Sequence, residues 1–262
     1  MDVRLDGRVA LITGGSKGLG LAMGHAFAAA GAGVALLARG REALEEARAG
    51  ILAAGTAPDR VRIYPADVSR AEAVAEAFAA VTGEFGRVDV LVNNAGTSRT
   101  GAFEGITDAV WQEDLDLKLF AAIRFSRLAW PGMKERGWGR IINVLNTMAK
   151  SPRGGSAPTS VSRAAGMALT KVMAGEGAPH GILVNALLVG LIESDQWVRR
   201  HAATAPEKTF AEFTAGLSGD VPLGRFGKAE EFANLALFLA SDAASYVAGT
   251  AINVDGGRSP VV

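Results

Sequence analysis

The chain has 262 residues, 27 Lys and Arg against 27 Asp and Glu, three histidines and no cysteine. A neutral balance leaves no electrostatic footprint for nucleic acid or an anionic membrane face, and without cysteine there are no disulfides, thiolate nucleophiles or thiolate metal sites. His25, His180 and His201 have no metal-ligand spacing, so no metal is expected, and no apolar run reaches the roughly 18 residues of a membrane span. The absence of cysteine makes the cytoplasm the expected compartment, and the polar start runs straight into the first apolar stretch. No Pro/Ser-rich linker or charge block divides the sequence, so residues 1–262 read as one domain.

In chain order, Val9 to Gly20, VALITGGSKGLG, is an apolar run that becomes a glycine-rich turn and opens into the apolar-periodic segment Leu21 to Ala30. A buried strand that turns on glycines into a helix gathers free backbone N–H groups and the positive end of the helix dipole at one point, where a pyrophosphate can sit. Gly33 to Ala38 predicts a second strand, Arg41 to Ala54 an amphipathic helix, Val61 to Tyr64 a third strand, Ala71 to Phe85 a helix and Val88 to Val92 a fourth strand. Asp108 to about Arg136 predicts a long helix interrupted near Pro131, followed by a strand at Arg140 to Leu145, a helix at Thr159 to Glu176 and a strand at Ile182 to Leu188. After a variable stretch come a helix at Lys228 to Ala240 and a last strand at Ala251 to Val254. Apolar strands alternating with helices predict an α/β fold with a parallel sheet covered on both faces and a ligand at the carboxyl ends of the strands.

Four stretches carry a family resemblance: TGGSKGLG at Thr13 to Gly20, the pair Asp67 and Val68, NNAG at Asn93 to Gly96, and NVDGG at Asn253 to Gly257. Together, in this order and over essentially the whole chain, they resemble the short-chain dehydrogenase/reductase (SDR) family. The resemblance implies a doubly wound, seven-stranded Rossmann sheet with helices on both faces. It also implies a homotetramer or dimer built through the two long central helices and the last helix and strand. It assigns the pyrophosphate to Gly14, Ser16, Gly18, Leu19 and Gly20, the adenine to Asp67 and Val68, and the adenosine ribose to Asn94, Ala95 and Gly96.

An acidic side chain at the end of the second strand would accept hydrogen bonds from a free ribose 2′-OH. Here that place is Ala38, followed by Arg39 and Arg41, with Lys17 inside the glycine turn. Arg39 and Lys17 can pair with a 2′-phosphate, so NADP(H) is expected over NAD(H). The alternative is that Arg39 and Arg41 are the solvated start of a helix.

The family's chemistry uses a tyrosine, a lysine four residues on, a serine thirteen residues before it and an asparagine on the preceding long helix. Aligned from the strand GRIINV, those places hold Thr159, Arg163, Asn146 and Asp116. All four are substituted, and Tyr64 and Tyr246 are too far along the chain to replace the tyrosine. A phenol ionises near pKa ~10 and an aliphatic hydroxyl near that of water, about 15.7; at ~1.36 kcal/mol per unit a threonine alkoxide costs roughly 8 kcal/mol more. Arg163 can hold a ribose hydroxyl or a carboxylate but shuttles no proton. Losing general acid/base catalysis is worth ~10²–10⁴ in rate.

Candidate substitutes are Asp116, as an acid or as a structural partner of Arg163, and His201 in the stretch 193–220, which covers the substrate in this family. Lys118 and Lys150 read as exposed lysines on a solvated face. Asn146 and Thr147 can polarise a carbonyl, and Ser194 keeps a hydroxyl where the family has the threonine that binds the nicotinamide amide. Trp197, Phe210 and Phe213 read as packing within the covering stretch, whereas Arg153, Arg163, Arg199 and Arg200 suggest a small-molecule substrate that is anionic, such as a carboxylate or an acyl thioester. Three functions stay open: an NADP(H)-dependent oxidoreductase acting on a carbonyl or alcohol through a non-standard site; a catalytically impaired subunit or nucleotide-binding module pairing with an active homologue; and a lyase or dehydratase on the same scaffold.

Overall fold

The computed structural model describes residues 3–262. Seven parallel strands form one sheet in the order β3-β2-β1-β4-β6-β8-β9. They are β1 (Val9–Thr13), β2 (Gly33–Ala38), β3 (Val61–Pro65), β4 (Val90–Asn93), β6 (Gly139–Asn146), β8 (Ile182–Val189) and β9 (Ala251–Val254). β1, β4 and most of β2, β6 and β8 are buried along their whole length, because helices cover both faces and leave no polar side to alternate with.

One face carries α1 (Gly18–Ala29), α2 (Arg41–Ala53) and α9 (Ala229–Ala240), sealed around Met23, Phe27, Ile51 and Phe232. The other carries α3 (Ala71–Phe85), α5 (Ala121–Glu135) and α6 (Thr159–Gly177), sealed around Val74, Val81, Phe125 and Met133. The strand order reverses between β1 and β4, and the carboxyl ends of the strands open there into a cleft.

The long helix differs from its sequence reading. It runs through Pro131 without a break, and its irregularity lies earlier: α4 (Asp108–Leu115) passes into a π-helical turn over Asp116–Phe120 before α5 begins. Proline removes one donor and crowds one carbonyl, which α5 tolerates, whereas the wider turn re-phases the side chains that face the site. The stretch after β8 is also more regular than expected, with α7 (Asp195–Thr204) and α8 (Phe210–Leu217). A ribbon of two residues per strand, β5 (Thr100–Gly101) against β7 (Ala157–Pro158), ties the loop after β4 to the start of α6. Among the described residues no helix is long and apolar enough to cross a membrane, and no His/Asp/Glu group could hold a metal ion.

Candidate active site

The cleft has a volume of about 860 Å³ and is lined from four sides: the glycine turn, the loop after β4, the end of β6 with the start of α6, and the segment from β8 into α7. Gly14, Ser16, Lys17, Gly18 and Leu19 lie on its wall, facing Asn94, Ala95 and Gly96. Two glycines are demanded here. Gly14 has φ +66°, and a Cβ on it would stand 2.9 Å from Asn94 Nδ2; a Cβ on Gly20 would run into the Gly14 carbonyl oxygen. Asn94 clamps the turn, its Nδ2 donating to the Thr13 and Gly14 carbonyls while its backbone N–H donates to Thr13 Oγ1. The first N–H groups of α1 have no helical partners, so the turn is a cradle of donors that side chains would fill and that an anionic pyrophosphate fits.

The remaining expected cofactor residues are placed less directly. Asp67 is folded onto Ser69, accepting from its N–H and hydroxyl, and Val68 is packed into the core; neither lines the cleft, and nor does Arg39, which stands exposed near Asp67. Lys17 faces Asp195 at the start of α7, Nζ to carboxylate 3.7 Å. Ser194 lines the cleft next to Gly18.

On the catalytic side the structure corrects three expectations, for Asp116, Lys118 and Lys150. Asp116 makes no pair with Arg163; it accepts from Arg124 Nη2 at 3.1 Å and Gln112 Nε2 at 2.8 Å and takes no part in the cleft wall. Lys118 is no surface lysine, since its side chain is 1% exposed. At about 100° per residue, positions two apart lie on nearly opposite sides of a helix, so an element that turns Lys118 inward turns Asp116 away. Lys118 Nζ donates to Thr159 Oγ1 at 2.8 Å and pairs with the buried carboxylate of Asp114. Thr159 Oγ1 also accepts from Arg99 N–H at 2.9 Å and donates to the Arg99 carbonyl at 2.7 Å. Thr159 lines the cleft and Lys118 sits directly behind it.

Burial lowers the Lys118 pKa to about 8, helped by repulsion from Arg163 and Arg99 and opposed by Asp114. Arg163 is half-buried in the cleft wall, Nη1 donating to the Val144 carbonyl at 2.8 Å, with its pKa drawn down by desolvation to about 10, so it stays a cation at neutral pH. Asn146 also lines the cleft, and its buried Oδ1 has no hydrogen-bond partner among the described residues. A buried polar atom at a ligand site is left to be satisfied by what binds there. His201 lies off the cleft wall in the covering segment: Nε2 lies 2.7 Å from the Lys208 carbonyl and the ring packs on Phe210 and Phe213. Lys150, expected on a solvated face, is instead half-buried, because its Nζ reaches across to donate to the Ala251 carbonyl of β9 at 2.6 Å. The signal for Lys118 was its spacing, since Asp114 and Lys118 stand four apart on one helix.

Residues 14–259 match the family model described as Enoyl-(Acyl carrier protein) reductase. The chain is 36% identical over 251 residues to an acetoacetyl-CoA reductase of Rhizobium meliloti (strain 1021), covering 96% of this chain and 98% of the relative. Its structure is similar to L-sorbose reductase from Gluconobacter frateurii complexed with NADPH and L-sorbose, at TM-score 0.94 and 34% identity over 100% of both chains. It is also similar to the NADPH-bound short-chain oxidoreductase of Pseudomonas aeruginosa PAO1 that contains an atypical catalytic center, at TM-score 0.90 and 38% identity over 99% of both chains. With this fold, this glycine cradle and these relatives, the chain belongs to the short-chain dehydrogenase/reductase family of NAD(P)-dependent oxidoreductases.

Proposed function

We propose that the protein is an NADP(H)-dependent reductase of a carbonyl group on an anionic small molecule, with Lys118 supplying the proton through Thr159. The observation that carries this reading is the buried bond from Lys118 Nζ to Thr159 Oγ1. A bound nicotinamide cofactor supplies the hydride; the chain supplies position and the proton.

Thr159 need never become an alkoxide. Its hydroxyl hydrogen rotates from the Arg99 carbonyl toward a substrate oxygen in the cleft, while its lone pairs keep the Lys118 and Arg99 N–H donors. As that hydrogen passes to the substrate oxygen, Nζ–H of Lys118 replaces it, so the acid of the pair is the ammonium. A group with pKa about 8 is close to the operating pH, where general acids work best. Asn146 presents amide groups to the carbonyl or nicotinamide, and Arg163 holds a ribose hydroxyl or the substrate's own negative charge.

The preference for NADP(H) rests on Arg39 at the end of β2, where no carboxylate stands, and NADPH occupies the similar structures. The anionic substrate rests on the cleft wall, which carries Arg153, Arg199, Arg200 and Arg258 besides Lys17 and Arg163, against Asp195 as its one acidic residue among those described. An acyl thioester on coenzyme A fits that charge, and it is the substrate class named for the Rhizobium relative. Val161 and Val172 on α6 and Phe120 and Leu128 on the central helix are exposed apolar side chains, consistent with a dimer or tetramer through those helices. Against the substituted family positions, the buried Lys118–Thr159 pair supports a reductase over a non-catalytic subunit or a lyase.

Titrating the protein with NADPH and NADH, then assaying NADPH oxidation with acetoacetyl-CoA and L-sorbose as substrates, tests the reading. Tighter binding of NADPH and turnover of the thioester over the neutral ketose is expected. Turnover of neither by protein that binds NADPH, across a wider panel of carboxylate ketones, contradicts it.

A further inference from the structure

Behind Lys118 lies a group that neither the cofactor cradle nor the proton path accounts for. Asp114, at the end of α4, is buried to 2% side-chain exposure, although a carboxylate is costly to bury without partners. One oxygen takes the Lys118 ammonium; the other takes the Ser162 hydroxyl of α6 at 2.6 Å. The charges facing Lys118 are Asp114 on its own helix, Arg163 from α6 and Arg99 from the loop after β4. Arg99 is itself paired with Glu113 at 2.5 Å, while Asp114 is the one carboxylate that touches the Lys118 ammonium among the described residues, and it does not line the cleft.

We infer that Asp114 is the positioning residue of this site: its carboxylate, fixed by Ser162, holds the Lys118 ammonium against Thr159 and keeps it charged beside two guanidinium groups. This rests on the reading of Lys118 as proton source, yet it concerns the state of the lysine and can be measured without turnover. A chain with a neutral residue at position 114 would face Lys118 with Arg163 and with an Arg99 already paired to Glu113, and with no carboxylate in contact. An opposite charge at contact distance is worth roughly 1–3 pKa units, so the lysine would shed its proton at a lower pH and leave Thr159 without a donor behind it.

The test is an NMR titration of the full chain labelled at lysine Cε and Nζ, with the Lys118 signal assigned by its loss in Lys118→Met. The native Lys118 midpoint is expected near 8. Asp114→Asn should lower it by about one pH unit or more, while Asp114→Glu stays within about half a unit of native. NADPH affinity, read by fluorescence, should change less than about twofold in both, because Asp114 lies outside the cleft wall. A folded Asp114→Asn protein whose Lys118 midpoint matches the native one overturns the inference.

Should Asp114→Asn not fold near neutral pH, the double variant Asp114→Asn/Lys118→Met decides. Removing both charges relieves the unpaired ammonium and is expected to restore the fold; a double variant as unstable as the single one makes Asp114 a packing residue and overturns the inference. A shifted midpoint combined with no turnover on any carbonyl leaves the coupling standing and removes only the reductase reading.

Discussion

Lys17 Nζ stands 3.7 Å from the Asp195 carboxylate, joining the glycine turn to the first residue of α7. Arg199 pairs with the same carboxylate, so Asp195 holds two of the cations that line the cleft.

On the proposed NADP(H) reading, Asp195 competes with the 2′-phosphate for Lys17. Asp195→Ala should free it and tighten NADPH binding by a few-fold, within the roughly 1 kcal/mol range of exposed ion pairs, with NADH affinity unchanged. Isothermal titration with both nucleotides, at low and high salt, checks this; equal effects on the two would mean that Lys17 does not reach the 2′ position.

Arg39 is exposed at the end of β2 and follows Ala38, where an acidic residue would have served a free ribose. Hydrogen bonds to charged groups contribute about 1.5–3 kcal/mol. Arg39→Ala should accordingly weaken NADPH by about 10- to 100-fold and leave NADH within about twofold, and Ala38→Asp with Arg39→Ala should invert the preference. The ratio of the two dissociation constants is the readout, and a ratio unmoved by Arg39→Ala would remove Arg39 from the cofactor site.

Lys118 makes stability depend on pH. In the folded protein it titrates near 8 against an ordinary 10.5, so between these values the unfolded chain binds the extra proton and stability rises with pH. The cost of burying the ammonium is fully present below pH 8 and gone above 10.5, a span worth about 3 kcal/mol. Denaturant unfolding of the native chain and Lys118→Met across this range should show the native protein gaining by about that amount relative to the variant. Parallel curves would place the lysine's titration at its ordinary value.

The cradle could be read from the sequence because it is local. Gly14 in the turn after β1 and Gly20 in the first turn of α1 stand six residues apart, the one at positive φ and the other against the Gly14 carbonyl, so both demands arise within one short stretch of chain. The sheet was readable for a related reason: strands buried on both faces are continuous apolar runs. The proton path was not, because it depends on phase and on tertiary partners. The π-helical turn at Asp116–Phe120 sets which side chain of the central helix points inward, and the buried Lys118 is met there by Asp114, itself held by Ser162, and by Thr159. In the sequence a lysine beside a carboxylate looks like any solvated helix face. β5 and β7, with two residues each, carry no periodicity to read, and the packing of His201 on Phe210 and Phe213 became visible only with α7 and α8 in place.

The central claim is that the ammonium behind Thr159 provides the proton. It is tested most directly by the turnover of Lys118→Met on acetoacetyl-CoA with saturating NADPH, beside the dissociation constant for NADPH. The account predicts turnover lower by about 10²–10⁴, the range of a lost general acid, with NADPH affinity held within about twofold. Turnover within a few-fold of the native protein would contradict it and move the proton source away from Lys118.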